Sequence, residues 1–355
     1  MDFQLSDDQI ILRDTARDFA VREMTDVARD LEDANKPLGR EYLKRYAEMG
    51  FLGVNVAEDL GGLGLGNVEA LLVLEEFAKV SPAVAFPIFE SSVGPVRAIE
   101  HFAGSGLAQR IVPKVCAGEM IVAVAMSEPD AGSALTDLKT KAEVSGETIT
   151  INGQKRWCSG GGHADGYVVY VRMSDDPGAK GIGAVFVEAD AKGLSFGAPE
   201  HLMGFRGIPS ADIYFDTVNV PVENLIGEEG KGFRYILDGM NAERVLVASE
   251  SLGDGRWFTE KAVAYANERE VFGAPIGANQ GIQFPIARHY ASLKAAELMV
   301  RQAAAMFDAG QPCGAEANMA KMLASEAAWE LGDACMQTYG GFAFAKEYHI
   351  ERKWR

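Results

Sequence analysis

The sequence predicts an α+β multidomain protein in which a helical N-terminal domain precedes a middle β domain and a C-terminal helical bundle. The hydrophobic period changes from helical to alternating near Ile121, and the helical period returns from about Phe233. Between these points, short β-like runs are closely punctuated by Gly, Pro, Asn and Asp, as in a small antiparallel barrel or sandwich. We therefore place the domains at residues 1–120, 121–228 and 229–355.

The N-terminal region has the pattern of amphipathic surface helices. Ser6 followed by Gln9 is a capping-box start, and apolar residues continue after it at helical spacing. Residues 41–50 and 68–80 repeat the helical pattern, and the glycine-rich segment DLGGLGLGN separates them. That segment lacks the GK[ST] ending of a phosphate loop, so we interpret it as an irregular connection between helices.

The middle region contains the stretch around which the chain is organised, from Ala125 to Gly162. Its first half, AMSEPDAGSALTD, places small hydroxyl residues and glycines around a turn, where backbone can approach a flat or phosphorylated ligand. Its second half alternates β-formers with polar residues, and Asn152-Gly153 indicates a hairpin turn.

The strand that follows this turn carries Trp157, Cys158 and Ser159 into a glycine run. An indole beside a hydroxyl on a rigid strand end suits a planar heteroaromatic cofactor. A β domain with Trp157 as one core residue explains the same pattern, and these residues alone leave both interpretations open. No His lies beside Cys158 in sequence to activate it, so we expect no nucleophilic role there.

The final third has the pattern of long packed helices. Its apolar positions step by 4, 3, 3 and 4 residues along one helix, as in a bundle, at Ile286, Tyr290, Leu293, Ala296 and Val300. Helices of this kind also form contacts between subunits.

The charge of the chain excludes some classes of partner. Lys and Arg total 34 against 51 Asp and Glu, which gives a net charge of −17 over 355 residues. Such a field repels phosphate backbones and anionic membrane surfaces, so we expect neither a nucleic-acid nor a membrane partner. No apolar run approaches the roughly 20 residues of a membrane span, and Met1 leads directly into acidic, polar sequence.

The cysteines indicate a reducing compartment. Cys116, Cys158, Cys313 and Cys335 are scattered without CxxC spacing, so we expect neither a zinc site nor a disulfide framework. Together with the absence of a targeting pattern, this predicts a cytoplasmic protein without a metal.

Motifs across essentially the whole chain resemble the acyl-CoA dehydrogenase family. Besides the MSEPDAGS and WCSGG segments, they are DLGGLGLG, GFRGIPSADIYFDTVNVPVENLIGEEGKGF, NAERVLVA, AYANEREVFGAPIGANQGIQFPIAR and MQTYGGFAFAKEYHIERKWR. Their order and spacing carry the resemblance, which implies an α, β, α architecture and FAD as the cofactor. Ala134 departs from the family pattern, which usually has Asp after the GS pair, so the fine geometry of this loop differs from that of the family.

The resemblance also implies the residues that hold the cofactor and the substrate. Met126, Ser127 and Ser159 would contact the flavin, Trp157 would pack on it, and Ser133 would lie at the cofactor or CoA edge. Asn241 and Arg244 match positions that bind the substrate. A second group would meet the FAD of a neighbouring subunit, and it consists of Arg269, Phe272, Gln280, Gln337 and Gly341. An arginine suits that role because its planar fork binds phosphate oxygens in pairs, although a solvated helix-end arginine is the alternative from sequence alone.

The family removes the α-hydrogen of an acyl-CoA as a proton and passes the β-hydrogen to the flavin as a hydride, so a carboxylate base is required. Many members carry that base in a YEGT-like segment after the final helices, and this sequence ends at Arg355 before such a segment. A minority carry a glutamate in the helix that opens the C-terminal domain, which makes Glu243 the candidate here. Glu250, seven residues on, is the second choice, and an exposed structural role is the alternative for Glu243.

The sequence ends within a helical pattern that has no cap signal. We therefore expect the C-terminal domain to be truncated. In the family, the following portion supplies a backbone amide to the thioester oxygen and closes part of the FAD site.

These expectations combine into an FAD-dependent acyl-CoA dehydrogenase that forms a trans-2-enoyl-CoA and passes electrons to an electron-transfer flavoprotein, as a homodimer or homotetramer. The alternatives are an acyl-CoA oxidase or a flavin monooxygenase on the same fold, or a non-catalytic or nucleic-acid-associated flavoprotein. The net charge of −17 and the base candidate Glu243 argue against the last alternative.

Overall fold

The computed structural model describes residues 4–355, and its first part is helical. The predicted capping box is confirmed: the Ser6 hydroxyl accepts from the Gln9 backbone N–H at 3.2 Å, and Gln9 Oε1 accepts from the Ser6 N–H at 3.0 Å. The helices here are α1 (Asp7–Ala34), α2 (Arg40–Glu48), α3 (Asn67–Val80), α4 (Pro82–Ser92), α5 (Pro95–Phe102) and α6 (Ser105–Cys116). The segment between α2 and α3 is irregular, as the glycine pattern predicts.

The middle part forms one eight-stranded sheet with the strand order β6-β7-β3-β2-β4-β5-β8, and β1 pairs with β4 outside this path. The strands are β1 (Val122–Ala125), β2 (Lys141–Ser145), β3 (Thr148–Ser159), β4 (Gly166–Arg172), β5 (Ile182–Glu188), β6 (Leu194–Phe196), β7 (Ser210–Pro221) and β8 (Leu225–Ile226).

Two details of the predicted β architecture are wrong. The sheet is not a closed barrel, because the end strands β6 and β8 are only three and two residues long and pair with their inner neighbours. Nor is the sheet purely antiparallel: β1 runs parallel to β4. The chain passes through β2 and β3 between β1 and β4, and parallel neighbours need such a long connection rather than a tight turn.

The predicted hairpin turn at Asn152-Gly153 is also wrong. β2 and β3 are joined at Gly146 and Glu147, and β3 continues through Asn152 and Gly153 with a bulge against β7. Gly153 adopts φ 146°, and a Cβ there would lie 2.7 Å from the Cα of Thr140. This glycine therefore serves a bulge and a close backbone approach rather than a turn.

The last part is a helical bundle in which α7 packs against α3, α8 and α9. Its elements are α7 (Gly232–Glu268), β9 (Glu270–Val271), β10 (Ala274–Pro275), α8 (Gln280–Asp308), α9 (Gly314–Tyr339) and α10 (Ile350–Trp354). Four residues of the predicted apolar stripe on α8 are buried: Ile286, Leu293, Ala296 and Val300. Tyr290 is 43% exposed, so its assignment to the packed face is wrong.

Three hydrophobic cores position the site. One joins α1–α4 to the C-terminal bundle, a second lies between α5, α6, one face of the sheet and the start of α7, and the third covers the other face of the sheet. α5 contacts α7, β1 and β4, so helices from both helical regions meet the strands here. The exact division near residues 120 and 228 stays a prediction. Within residues 4–355, no helix is long and apolar enough to cross a lipid bilayer.

Candidate active site

A small pocket lies where α5, α7 and the strands β1 and β4 meet, and Glu243 of α7 lines it. Two glycines leave space beside this carboxylate. A Cβ built on Gly94 would lie 3.5 Å from Glu243 Oε1, and one built on Gly239 would lie 3.8 Å away. The other lining residues are Arg97, Ala98, Phe102, Val124, Met126, Tyr170, Tyr235, Ile236 and Asp238.

Glu243 is partly buried, and no hydrogen bond or ion pair engages its carboxylate among the described residues. Burial raises its pKa above the ordinary value of a glutamate, and the charge of Arg244 offsets this only in part. Arg244 instead donates from Nη1 to Asn241 Oδ1 at 3.3 Å. A carboxylate with a raised pKa, an open side and no competing partner can accept a proton from a molecule in the pocket.

Tyr170 of β4 forms part of the apolar wall that surrounds this carboxylate. Its side chain is buried, and its pKa is raised first by burial and then by the charge of Glu243. The phenol therefore stays neutral and contributes to the desolvation of the pocket.

A polar group that the sequence analysis missed lies on the same pocket. Arg97 Nε lies 3.7 Å from Asp238 Oδ2, and Asp238 Oδ2 lies 3.4 Å from His101 Nδ1. Burial lowers the pKa of both Arg97 and His101. Arg97 and His101 are four residues apart on α5, and this spacing places both on one face of the helix. The spacing is the feature of the sequence from which the pair could have been predicted.

Trp157 lies near the C-terminal end of β3 on irregular backbone. The β3–β7 register shifts between Lys155 and Cys158, and Trp157 adopts φ 61°. This left-handed conformation is rare for a bulky residue, and a bulge of this kind re-aims side chains. The indole is 52% exposed, so the alternative in which Trp157 is a core residue is wrong.

The structure brings the two predicted cofactor segments together. The Arg156 backbone N–H donates to the Ser127 carbonyl at 2.9 Å, which joins the strand end at Met126 and Ser127 to the Trp157 region. Within residues 4–355, the hydroxyls of Ser127 and Ser159 make no hydrogen bond, so both are free for a ligand. An exposed indole on strained backbone beside two free hydroxyls fits a planar cofactor such as a flavin.

A buried ion pair, also missed from sequence, supports this arrangement. Lys155 Nζ lies 2.8 Å from Glu128 Oε1 and donates to the Met126 carbonyl at 3.0 Å, and Lys155 is fully buried. Burial lowers the pKa of Lys155 to about 8 despite the opposing charge of Glu128. Burial acts to raise the pKa of Glu128, but Lys155 and the backbone N–H of Lys139 hold it below its usual value. The pair therefore ties the end of β1 to β3 beneath the candidate cofactor surface.

Family models match nearly the whole chain in three consecutive parts. They are described as the N-terminal, middle and C-terminal domains of acyl-CoA dehydrogenase, and they match residues 6–119, 123–218 and 230–355. The chain belongs to the acyl-CoA dehydrogenase family.

Similar proteins agree with this membership. An acyl-CoA dehydrogenase of Bacillus subtilis (strain 168) is 34% identical over 352 residues, which cover 99% of this chain and 92% of the relative. The CarC subunit of the caffeyl-CoA reductase-Etf complex of Acetobacterium woodii is 34% identical over 353 residues, which cover 99% of this chain and 92% of that protein. The solved FAD complex of PigA superposes with a TM-score of 0.95 at 28% identity, covering 100% of this chain and 93% of that one.

The remaining site residues predicted from the family resemblance lie outside the Glu243 pocket. Ser133 is exposed on the loop after β1. The five residues predicted to meet a neighbouring subunit are also exposed, and none lines the Glu243 pocket among the described residues: Arg269, Phe272, Gln280, Gln337 and Gly341. The Arg269 guanidinium lies 5.9 Å from the ring centroid of Phe342, next in sequence to Gly341. Phe272 is fully exposed with φ 58° on the β9–β10 hairpin.

Glu250 and Cys158 lie in different surroundings from Glu243. Glu250 interacts with Asp254 and Lys353 and does not line the Glu243 pocket. Burial raises its pKa to about 8. Cys158 is buried against the Val124 carbonyl, and burial raises the pKa of its thiol, which disfavours the reactive thiolate.

Proposed function

We propose that this protein is an FAD-dependent acyl-CoA dehydrogenase that converts an acyl-CoA thioester into a trans-2-enoyl-CoA in fatty acid metabolism. The observation that carries this proposal is Glu243, a carboxylate without a partner among the described residues that lines a pocket together with Met126. The membership of the chain in the acyl-CoA dehydrogenase family supports the proposal.

Glu243 acts as the base that takes the α-proton. A thioester α-proton is only weakly acidic, so the base needs a raised pKa, and burial raises the pKa of Glu243 in the required direction. Gly94 and Gly239 place no side-chain atoms beside the carboxylate, so an acyl group would approach it from this side. The buried Tyr170 and the apolar residues of the pocket wall desolvate the carboxylate, which favours its protonated form.

The cofactor would be held by Met126, Ser127, Ser133, Trp157 and Ser159. FAD, when bound, accepts the β-hydrogen of the substrate as a hydride. The two free hydroxyls would donate to the flavin edge, and the exposed indole would cover part of the ring. Ser133, Asn241 and Arg244 would contact the CoA portion of the substrate.

The protein would act as a homodimer or homotetramer. In this arrangement, Arg269, Phe272, Gln280, Gln337 and Gly341 would contact the FAD of a neighbouring subunit, and their exposure leaves them free for such a contact. An electron-transfer flavoprotein would receive the electrons, which the Etf-complex relative from Acetobacterium woodii supports. The four free and buried cysteines are compatible with the reducing cytoplasm that we propose as the location.

The reverse reaction is a second candidate. The caffeyl-CoA reductase relative favours it, because that protein is named as part of a reductase rather than of a dehydrogenase. In that direction Glu243 would return a proton to the α-carbon, so the same residue serves both directions.

Anaerobic titration of the FAD-loaded protein with a panel of acyl-CoAs tests the proposal. We expect at least one saturated acyl-CoA to bleach the oxidised flavin spectrum, and the reduced flavin to persist when air is admitted. Bleaching by dithionite but by no acyl-CoA would contradict the acyl-CoA dehydrogenase. Rapid reoxidation in air would support the oxidase instead.

A further inference from the structure

Trp157 is in contact with its own sequence neighbour. The Cζ of Arg156 lies 4.3 Å from the centroid of the Trp157 ring. Successive side chains of a regular strand point to opposite faces, so neighbours do not normally stack. The register shift between Lys155 and Cys158 and the left-handed backbone of Trp157 remove that alternation and bring the two side chains together.

Two carboxylates hold the guanidinium in this position. Arg156 Nη1 donates to Asp212 Oδ2 at 2.7 Å, and Nη2 donates to Glu200 Oε1 at 3.1 Å. Asp212 lies on β7 and is buried, whereas Glu200 lies in the segment between β6 and β7. Because Nη1 and Nη2 are both bound by groups outside β3, the planar guanidinium of Arg156 has one preferred orientation.

Few other contacts hold the exposed indole of Trp157 in place. About half of its surface is accessible, and no hydrogen bond to its Nε1 is present among the described residues. A cation over the face of an indole attracts the ring and limits its rotation. The fixed guanidinium therefore orients an aromatic side chain that the packing of the sheet leaves exposed.

We propose that Arg156 is a positioning residue that orients the indole of Trp157 toward the flavin. This inference rests on the proposed function, because Trp157 faces a flavin only if the protein binds FAD. Arg156 acts through Trp157 and has no direct contact with the substrate. Its role is to pre-organise one wall of the cofactor site before FAD binds.

The test uses the full-length, FAD-loaded protein and compares its visible flavin spectrum and its FAD dissociation constant between variants. Arg156→Met is expected to shift the flavin bands in the same direction as Trp157→Leu and to weaken FAD binding about 3-fold, the size of a cation–π contact. Arg156→Lys keeps the charge but lacks the planar guanidinium that binds two carboxylates at once. We therefore expect its flavin bands and FAD affinity to lie between those of Arg156→Met and the wild type. Asp212→Asn keeps Arg156 but weakens its anchor, and we expect a smaller shift of the same kind.

Arg110→Met is the matched control. Arg110 also pairs with a carboxylate, Glu188, and also lies over an aromatic ring, Phe186, at 5.9 Å. It does not contact Trp157, so we expect its removal to leave the flavin spectrum and FAD affinity unchanged.

A double variant shows whether Arg156 acts through Trp157. Adding Arg156→Met to Trp157→Leu should change neither the flavin spectrum nor the FAD dissociation constant further, because the indole that Arg156 orients has already been removed. Full additivity, or a wild-type spectrum and affinity in Arg156→Met while Trp157→Leu alters both, would overturn the positioning role. A wild-type protein that binds no FAD would instead overturn the proposed function, and this inference with it.

Discussion

Gly94 lies directly beside the carboxylate of Glu243, with 3.5 Å between the position of a Gly94 Cβ and Glu243 Oε1. Gly94 precedes α5 with φ 59° and ψ −118°, a conformation that only glycine adopts without strain. The turn between α4 and α5 thus keeps side-chain atoms away from the candidate base.

Replacing Gly94 with alanine should impair both folding and substrate reaction. The left-handed backbone should cost about 1–3 kcal/mol of unfolding free energy, and the methyl group should slow flavin reduction by an acyl-CoA. Urea unfolding and anaerobic stopped-flow absorbance measure the two effects. Gly106→Ala is the control, since no atom lies within 4 Å of a Cβ at Gly106; equal behaviour of the two variants would contradict this prediction.

The buried pair of Lys155 and Glu128 should be essential for stability. Lys155→Met leaves the buried Glu128 carboxylate without its cation and should lower the unfolding free energy by about 3–5 kcal/mol. Lys139→Met provides the comparison, because Lys139 and Asp130 pair at 3.2 Å with 74% and 77% of their side chains exposed. Loss of such a surface pair should cost less than about 1 kcal/mol. Urea unfolding checks both values, and similar losses for the two variants would count against the prediction.

Trp157→Ala separates a cofactor contact from a structural role. Because the indole is 52% exposed, its removal should change the unfolding free energy by less than about 1 kcal/mol. The flavin absorption bands and reduction potential should nevertheless shift. The opposite result, a loss of about 3–5 kcal/mol with an unchanged spectrum, is the outcome for a core tryptophan.

Glu250 should make stability depend on pH. Burial raises its pKa in the folded state from 4.5 to about 8, so the folded protein holds a proton that the unfolded chain releases. The stabilisation is full below about pH 4.5 and is lost as the pH rises through about 8. Glutamine cannot ionise, so the unfolding free energy of Glu250→Gln should fall less with rising pH than that of the wild type. We expect the difference to be about 2–4 kcal/mol between about pH 4.5 and about pH 8. Chemical unfolding at several pH values measures it, and parallel curves for wild type and variant would disprove the assignment.

The sequence predicts the order of helical and β regions well because long hydrophobic periods report which face is buried. The details that failed depend on contacts distant in sequence. The Asn152-Gly153 pair has the composition of a turn, yet its conformation is set by the approach of Thr140 and by pairing with β7. Likewise, the parallel pairing of β1 with β4 joins strands that are separated in sequence by β2 and β3, which no local pattern encodes.

For the candidate site, the sequence identified groups with distinctive chemistry but not their neighbours. Glu243 and Trp157 were predicted as site residues. Lys155 and Arg97 were missed, because their significance comes from burial beside Glu128 and Asp238, which the sequence does not show. Tyr290 was assigned to a buried face by periodicity, but it lies at an exposed position of α8 that the period alone cannot distinguish.

The central claim is that Glu243 removes the α-proton of an acyl-CoA, and anaerobic stopped-flow reduction of the flavin in Glu243→Gln tests it most directly. Glutamine has nearly the same shape but cannot take the proton, so FAD and acyl-CoA should still bind while the reduction rate falls at least about 10²-fold. Glu250→Gln, on the same helix but outside the pocket, should reduce at the wild-type rate. A wild-type rate in Glu243→Gln, with substrate binding intact, would contradict the account.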